Sequence, residues 1–171
     1  MDKTSTKTIK NRGKGKREGG TTESISNQDL VCWYTNADTL TNKMTELRYR
    51  AENSDNKPDI IIITEVKPKR NRYKITEQEL SIDGYDIHSD NITKSTGRGT
   101  LIYAKKELRI SKVSMNTHFG DSTWLKIHTN KMKDVILGCI YRSPNSDTEN
   151  NTNLRKLIKE ASEIRNDALG L

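Results

Sequence analysis

The stretch KPDIIIITE, Lys57 to Glu65, decides the fold. Its four consecutive isoleucines show no alternation of apolar and polar residues, the pattern of a strand buried on both faces. A strand covered twice needs a layer above it and a layer below it, so the run implies a layered α/β architecture. Pro58 marks the break before it. Upstream, LVCWYT (Leu30 to Thr35) is a second short apolar and aromatic run, and between the two Leu40, Met44, Leu47 and Ala51 recur at helical spacing. Asp38, Thr39 or Thr41 is available as N-cap of that helix. The unit is therefore β-helix-β, with parallel strands joined by a right-handed crossover.

Downstream, Val66 to Glu79 carries Lys67, Pro68, Lys69, Arg70 and Arg72 and reads as an exposed loop. Strand signals follow at Tyr85 to Ser89, Gly99 to Ala104, Thr123 to Thr129 and Val135 to Tyr141. Thr123, Leu125 and Ile127 share one face and Trp124, Lys126 and His128 the other, with Asn130 to Lys133 as the turn into the next strand. Leu154, Leu157, Ile158, Ala161 and Ile164 mark an amphipathic helix capped within Asn151 to Asn153. The order β, α, β, antiparallel strands, α belongs to a mixed layered fold rather than a purely alternating one. The sequence stops just after a helix, where such a layer is expected to continue with a strand.

The formal net charge is +7, but residues 1 to 20 hold seven Lys/Arg against Asp2 and Glu18, which is +5 of it. Residues 1 to 28 are rich in Gly, Ser and Thr and almost free of apolar side chains, so a disordered basic leader is expected there, with the folded part over 29 to 171. Attraction to phosphates would begin in that leader, although a solvated tail without a partner reads equally well. Hydrophobic residues make up 31%, well below the roughly 45 to 50% of a typical domain, so the core is expected to be thin or incomplete. No apolar run approaches a membrane span and no signal peptide is visible, so a soluble intracellular protein is expected. Cys32 and Cys139 lie in apolar strand-like segments without metal spacing and read as buried free thiols.

Polar residues cluster at the ends of three apolar strands. Asn36-Ala37-Asp38 follows LVCWYT, Glu65 follows DIIIIT, and Tyr141-Arg142-Ser143-Pro144-Asn145 follows VILGCI. Ligands of open α/β sheets gather outside the carboxyl ends of strands, and parallel neighbours would bring Asn36, Asp38 and Glu65 together. A lone carboxylate with a nearby amide suits Mg²⁺, a hard ion that takes one or two protein carboxylates and keeps several waters. Such an ion would serve phosphodiester hydrolysis, with Tyr141 donating to the phosphate and Asn145 orienting a neighbouring group or touching the sugar-phosphate backbone. Each residue also has a plain structural role open to it. Asp38 can cap the helix, Glu65 can be an ordinary exposed strand end, Asn36 can be a left-handed turn residue, and Ser143 to Ser146 is a standard turn. Gly97 and Gly99 form a GxG that reads as a turn at the start of a strand rather than a phosphate loop. His88, His118 and His128 share no ligand spacing.

Taken in order, WYTNADTL, KPDIIIITE, GRGTLIYAK, STWLKI and ILGCIYRSPNS resemble consecutive blocks of the endonuclease/exonuclease/phosphatase superfamily, over about Asp29 to Asn166. The wording is most similar to the endonuclease domains of LINE-type non-LTR retrotransposons. The resemblance implies an α/β two-sheet sandwich of DNase I-like type, here incomplete, and a Mg²⁺-dependent activity that nicks target DNA for reverse transcription. It implies Glu65 and Asp38 as metal-facing residues, Asn36 as part of the active-site network, Tyr141 as a phosphate-side donor, and Asn145 as the asparagine of the IYRxPN block. DNA is the partner it implies, with no small-molecule cofactor and a nuclear or cytoplasmic site of action for the complete element. The family's GDFN block and its closing Asp-His pair have no counterpart in these residues. The chain is therefore expected to be an N-terminal portion, inactive by itself and lacking the part that would supply the second sheet. A non-catalytic product with weak nucleic-acid binding, or part of another phosphatase or repair nuclease of the superfamily, are the alternatives.

Overall fold

The isoleucine run is covered on both sides because it sits between two different cores. The computed structural model describes residues 5–9, 30–70, 74–90, 92–93, 97–129 and 134–167. Strand β2 (Leu30–Asn36) runs parallel to β3 (Ile60–Thr64), with Cys32 opposite Ile60 and Asn36 opposite Thr64. Between them lie a short 3-10 turn (Leu40–Lys43) and helix α1 (Met44–Asn53), which make the expected crossover. Strand β5 (Thr100–Lys105) pairs antiparallel with the other edge of β3, and β4 (Tyr85–His88) pairs with β5. A second sheet stacks below, built from β6 (Ile110–Lys112), β7 (Ser122–Ile127) and β8 (Val135–Ile140), all antiparallel. Helix α2 (Thr148–Asp167) lies on its outer side.

The period-two alternation of strands sorts the side chains into layers. Trp33, Ile61, Ile63, Leu101 and Tyr103 face α1 and the segment around Ile75, Leu80 and Ile82. Their neighbours Cys32, Ile60, Ile102 and Ala104 face the second sheet, where Leu125, Ile127 and Cys139 meet them. Trp124 and Phe119 pack with Leu157 of α2 beyond. The stack is helix, sheet, sheet, helix. Burial of Ile60, Ile61 and Ile63 at no more than 1% exposure confirms the two-sided reading of the run.

Several expectations change. Within the leader, Ser5–Ile9 forms strand β1, antiparallel to β2, so disorder does not hold for those five residues. Without it β2 would present a row of unpaired backbone groups at the sheet edge, and β1 satisfies them. The rest of the leader lies outside the described residues, as does the turn at 130–133. The second sheet is not wholly missing, because three of its strands lie within Ile110–Ile140. The segment after Glu65 is irregular but not wholly exposed: Val66, Lys67 and Ile75 are buried. Neither the 3-10 turn nor α1 has a side-chain cap. Helix α2 begins three residues before the expected cap, because Asp147 Oδ1 accepts the Asn150 N–H at 2.7 Å. Of its apolar residues Ile158 points outward at 54% exposure, while Leu157 is buried.

Candidate functional site

Backbone pairing continues past the ends of the strands and builds the floor of a cleft. The Ala37 N–H donates to Thr64 O, Thr39 to Glu65 O and Leu40 to Val66 O, each at 2.9 Å. On the other side the Lys67 N–H donates to Arg98 O at 2.8 Å. The segments after β2, after β3 and before β5 are thereby fixed side by side. Asp38, Thr39 and Glu65 have positive φ values of 41°, 86° and 55°. Residues other than glycine seldom adopt that conformation, and it persists only where surrounding contacts over-determine it, a situation concentrated at functional sites.

The side chains converge as the chain order alone would not require. Asn36 Nδ2 donates to Glu65 Oε1 at 2.9 Å, and Asn36 Oδ1 accepts the Asp38 N–H at 3.1 Å. Asn36 thus works as an Asx-type turn and as an orienting donor at once. Tyr141, immediately after β8, is bonded to Glu65 and its backbone N–H is held by Asp121 O at 2.9 Å. Burial first, and then that hydrogen bond to the carboxylate, raise the Tyr141 phenol above its ordinary value, so it stays a donor at neutral pH. Asn145 is exposed in the turn closed by the Ser146 N–H on Ser143 O. Asn36, Asp38, Glu65, Tyr141 and Asn145 all line one cleft of about 660 Å³, together with Lys43, Lys69, Arg98, Ser143 and Pro144. Three strand ends from two sheets meet there.

Arg98 is the residue that sequence reasoning missed. Its Nη2 lies 2.5 Å from Glu65 Oε2 and 2.5 Å from Asp38 Oδ1. The hydrogen bond from Arg98 is the first cause holding the Asp38 carboxyl below its usual range. This contact also overturns the helix-cap reading of Asp38. The signal for Arg98 was the GxG itself. Gly97 and Gly99 both have φ of +79°, the Asp121 carboxylate accepts the N–H groups of Arg98 and Gly99, and a Cβ at Gly97 would fall 2.4 Å from Asp121 Oδ1. The glycines are a turn, as expected, but one that presents a guanidinium.

Among the described residues no group of three or more His, Cys, Asp or Glu converges on a metal position. The cleft instead offers the carboxylates of Asp38 and Glu65 and the amide oxygens of Asn36 and Asn145, that of Asn36 already accepting the Asp38 N–H, with no histidine or cysteine among its lining residues. In kind that fits a hard ion such as Mg²⁺, which keeps several waters and uses one or two protein carboxylates. Cys32 and Cys139 are buried free thiols, as expected. No helix among the described residues is long and apolar enough to cross a membrane.

No family model matches the chain, and no curated protein matches it either. Among solved structures, the chain is similar to the endonuclease domain of TRAS1, a telomere-specific non-LTR retrotransposon, with a TM-score of 0.50 and 14% sequence identity. The match covers 75% of this chain and 52% of that one, so the chain spans about half the length of the structure it resembles. The likeness is one of fold, which in this chain is an α/β arrangement of two stacked sheets with helices outside, the sheets not closing on each other.

Proposed function

We propose that the chain is the N-terminal portion of a Mg²⁺-dependent endonuclease domain of the non-LTR retrotransposon kind, which nicks DNA. The observation that carries this reading is the meeting of Asn36, Asp38, Glu65, Tyr141 and Asn145 in one cleft, from strand ends up to 109 positions apart. The fold shared with a retrotransposon endonuclease domain supports it. Glu65 and Asp38 would hold the ion, and Asn36 would aim the Glu65 carboxylate. When bound, the ion supplies charge to offset that developing on the phosphate oxygens and favours a hydroxide-like water. Tyr141 would donate to a non-bridging phosphate oxygen, in a cleft where fixed donors act in reduced dielectric. Asn145 would touch the sugar-phosphate backbone.

These residues bind and position; none of them is placed to act as general base. Losing such a base costs about 10²- to 10⁴-fold in rate, so residues 1–171 alone are proposed to be inactive. The test is nicking of supercoiled plasmid by the product that includes the sequence encoded downstream of Leu171, beside the 171-residue chain. Mg²⁺-dependent nicking by the longer product, abolished by Glu65→Gln, is the expected result. Nicking that ignores both Mg²⁺ and Glu65 would sink the reading, and faster hydrolysis of a phosphomonoester than of DNA would assign another activity of the superfamily.

A second reading, nucleic-acid binding without chemistry, is favoured by the +5 charge of the first 20 residues. It predicts binding that falls steeply with salt and is indifferent to divalent ions.

A further inference from the structure

One nitrogen of Arg98 serves two carboxylates that belong to different strand ends. Nη2 is 2.5 Å from both Asp38 Oδ1 and Glu65 Oε2; the Arg98 and Glu65 side chains are only 12% and 15% exposed, while that of Asp38 is 71% exposed. The Arg98–Glu65 contact therefore differs from a surface ion pair, whose long side chains exchange freely with water, and the Asp38 contact adds to it from the solvent side. The loop that carries Arg98 is pinned at three backbone points: its own N–H and that of Gly99 on the Asp121 carboxylate, and its carbonyl on the Lys67 N–H. Arg98 Nε and Nη1 are buried and have no hydrogen-bond partner. An arginine free to choose would satisfy those donors in water, since leaving them unmet is costly. The fold holds the guanidinium where it is, in the position between two carboxylates that a bound cation would also occupy.

We propose that Arg98 is a positioning residue that acts as the built-in counter-cation of this site: it holds Asp38 and Glu65 together in the absence of a divalent ion and competes with that ion for their oxygens. The inference rests on the metal-site reading above. Two carboxylates brought together without a cation repel each other, and the guanidinium removes that repulsion. A divalent ion bridging Asp38 Oδ1 and Glu65 Oε2 has to displace Nη2, so its apparent affinity there is lowered by the strength of the arginine contact.

The experiment is titration of the 171-residue chain with Mn²⁺ alone, free ion being read by electron paramagnetic resonance, with circular dichroism as the check on folding. Arg98→Gln and Arg98→Met are expected to bind Mn²⁺ about tenfold more tightly than the parent, equivalent to about 1.4 kcal/mol. Arg98→Lys, whose compact ammonium lacks the planar fork, is expected to tighten binding by a smaller factor, about threefold. Affinity at or below the parental value in these variants overturns the inference, and so does the absence of saturable binding in all of them. Should the neutral variants fail to fold, Arg98→Lys decides alone: tighter binding supports competition and parental affinity overturns it. Tightened Mn²⁺ binding beside a longer product that never nicks DNA would remove the endonuclease reading and leave this inference standing.

Discussion

Asn36 Nδ2 donates to Glu65 Oε1 at 2.9 Å, which ties the last residue of β2 to the residue just after β3. The register that puts Asn36 opposite Thr64 makes the contact possible, and the positive φ of Glu65 turns its side chain out of the ladder toward the amide. A parallel β-α-β unit thereby delivers an oriented carboxylate to the end of the sheet.

Replacing Asn36 by Ala removes that orientation without disturbing the core. If a longer product nicks DNA as proposed, with Glu65 on the metal, its rate is expected to fall about 10- to 100-fold, the usual effect of losing a residue that aims a metal ligand. Stability measured by urea denaturation should change by less than about 1 kcal/mol, since Asn36 is exposed. A wild-type nicking rate would show that Glu65 needs no such partner.

Alkali should weaken the fold from within. Burial, followed by the charges of Asp59 and Glu107, pushes the Tyr85 phenol from 10.0 up to about 12. Tyr103 and Cys139 are also raised by burial. A raised folded value means the folded state holds its proton more tightly, so stability is full below the ordinary value and declines as pH rises from 10.0 toward about 12. The slope is about 1.4 kcal/mol per pH unit for each such group. Urea midpoints measured across that range, with tyrosinate absorbance alongside, test the point. A flat profile would contradict it.

The interior between the sheets should be intolerant of truncation. Leu125 is fully buried opposite Ile60 and Ile102, and Leu125→Ala is expected to cost about 2–5 kcal/mol. Gly138 faces Trp124 across β7 and β8, and an added Cβ would fall 2.4 Å from the indole ring. Gly138→Ala should therefore destabilise by about 1–3 kcal/mol through overpacking. A neutral result in thermal melts would mean the ring can move aside.

Ser111, His128 and Asp134 form a chain of contacts, 2.9 Å from Ser111 Oγ to His128 Nε2 and 3.0 Å from His128 Nδ1 to Asp134 Oδ2. The connectivity is that of a hydrolytic triad, but Ser111 sits exposed in a regular strand, its backbone paired with Lys126, rather than on the strained turn that presents a nucleophile. We expect the chain to be a clasp across β6, β7 and β8, so that His128→Ala costs about 1 kcal/mol. Labelling of Ser111 by a fluorophosphonate would refute this.

If the leader binds nucleic acid, that binding can be separated from β1. Changing Lys10, Arg12, Lys14, Lys16 and Arg17 to Gln leaves Ser5–Ile9 intact. If each contacts one phosphate, the slope of log affinity against log salt should flatten by about 0.9 per residue removed. An unchanged slope, measured by fluorescence anisotropy on duplex DNA, would place the binding elsewhere.

How much was legible follows from the range of each signal. Ile60 to Ile63 announced a strand between two layers because burial on both faces leaves an unbroken apolar run. Asn36, Asp38, Glu65, Tyr141 and Asn145 were legible as polar residues closing apolar strands. Ile110–Lys112 was missed because three residues carry too little pattern. Ser5–Ile9 was missed because its composition resembles a tail, and only the open edge of β2 gives it a place.

By itself the sequence determined the layers, since apolar periodicity is local and each strand or helix must bury its own face. It also determined which polar residues stand at strand ends. Only the tertiary structure decided that Arg98 lies between Asp38 and Glu65, 60 and 33 positions away. That placement depends on β5 pairing with β3 and on Asp121 gripping the loop between two glycines. Neither the strand partner nor the grip leaves a periodic trace in sequence, because contacts of long sequence separation are set by sheet order and not by local pattern.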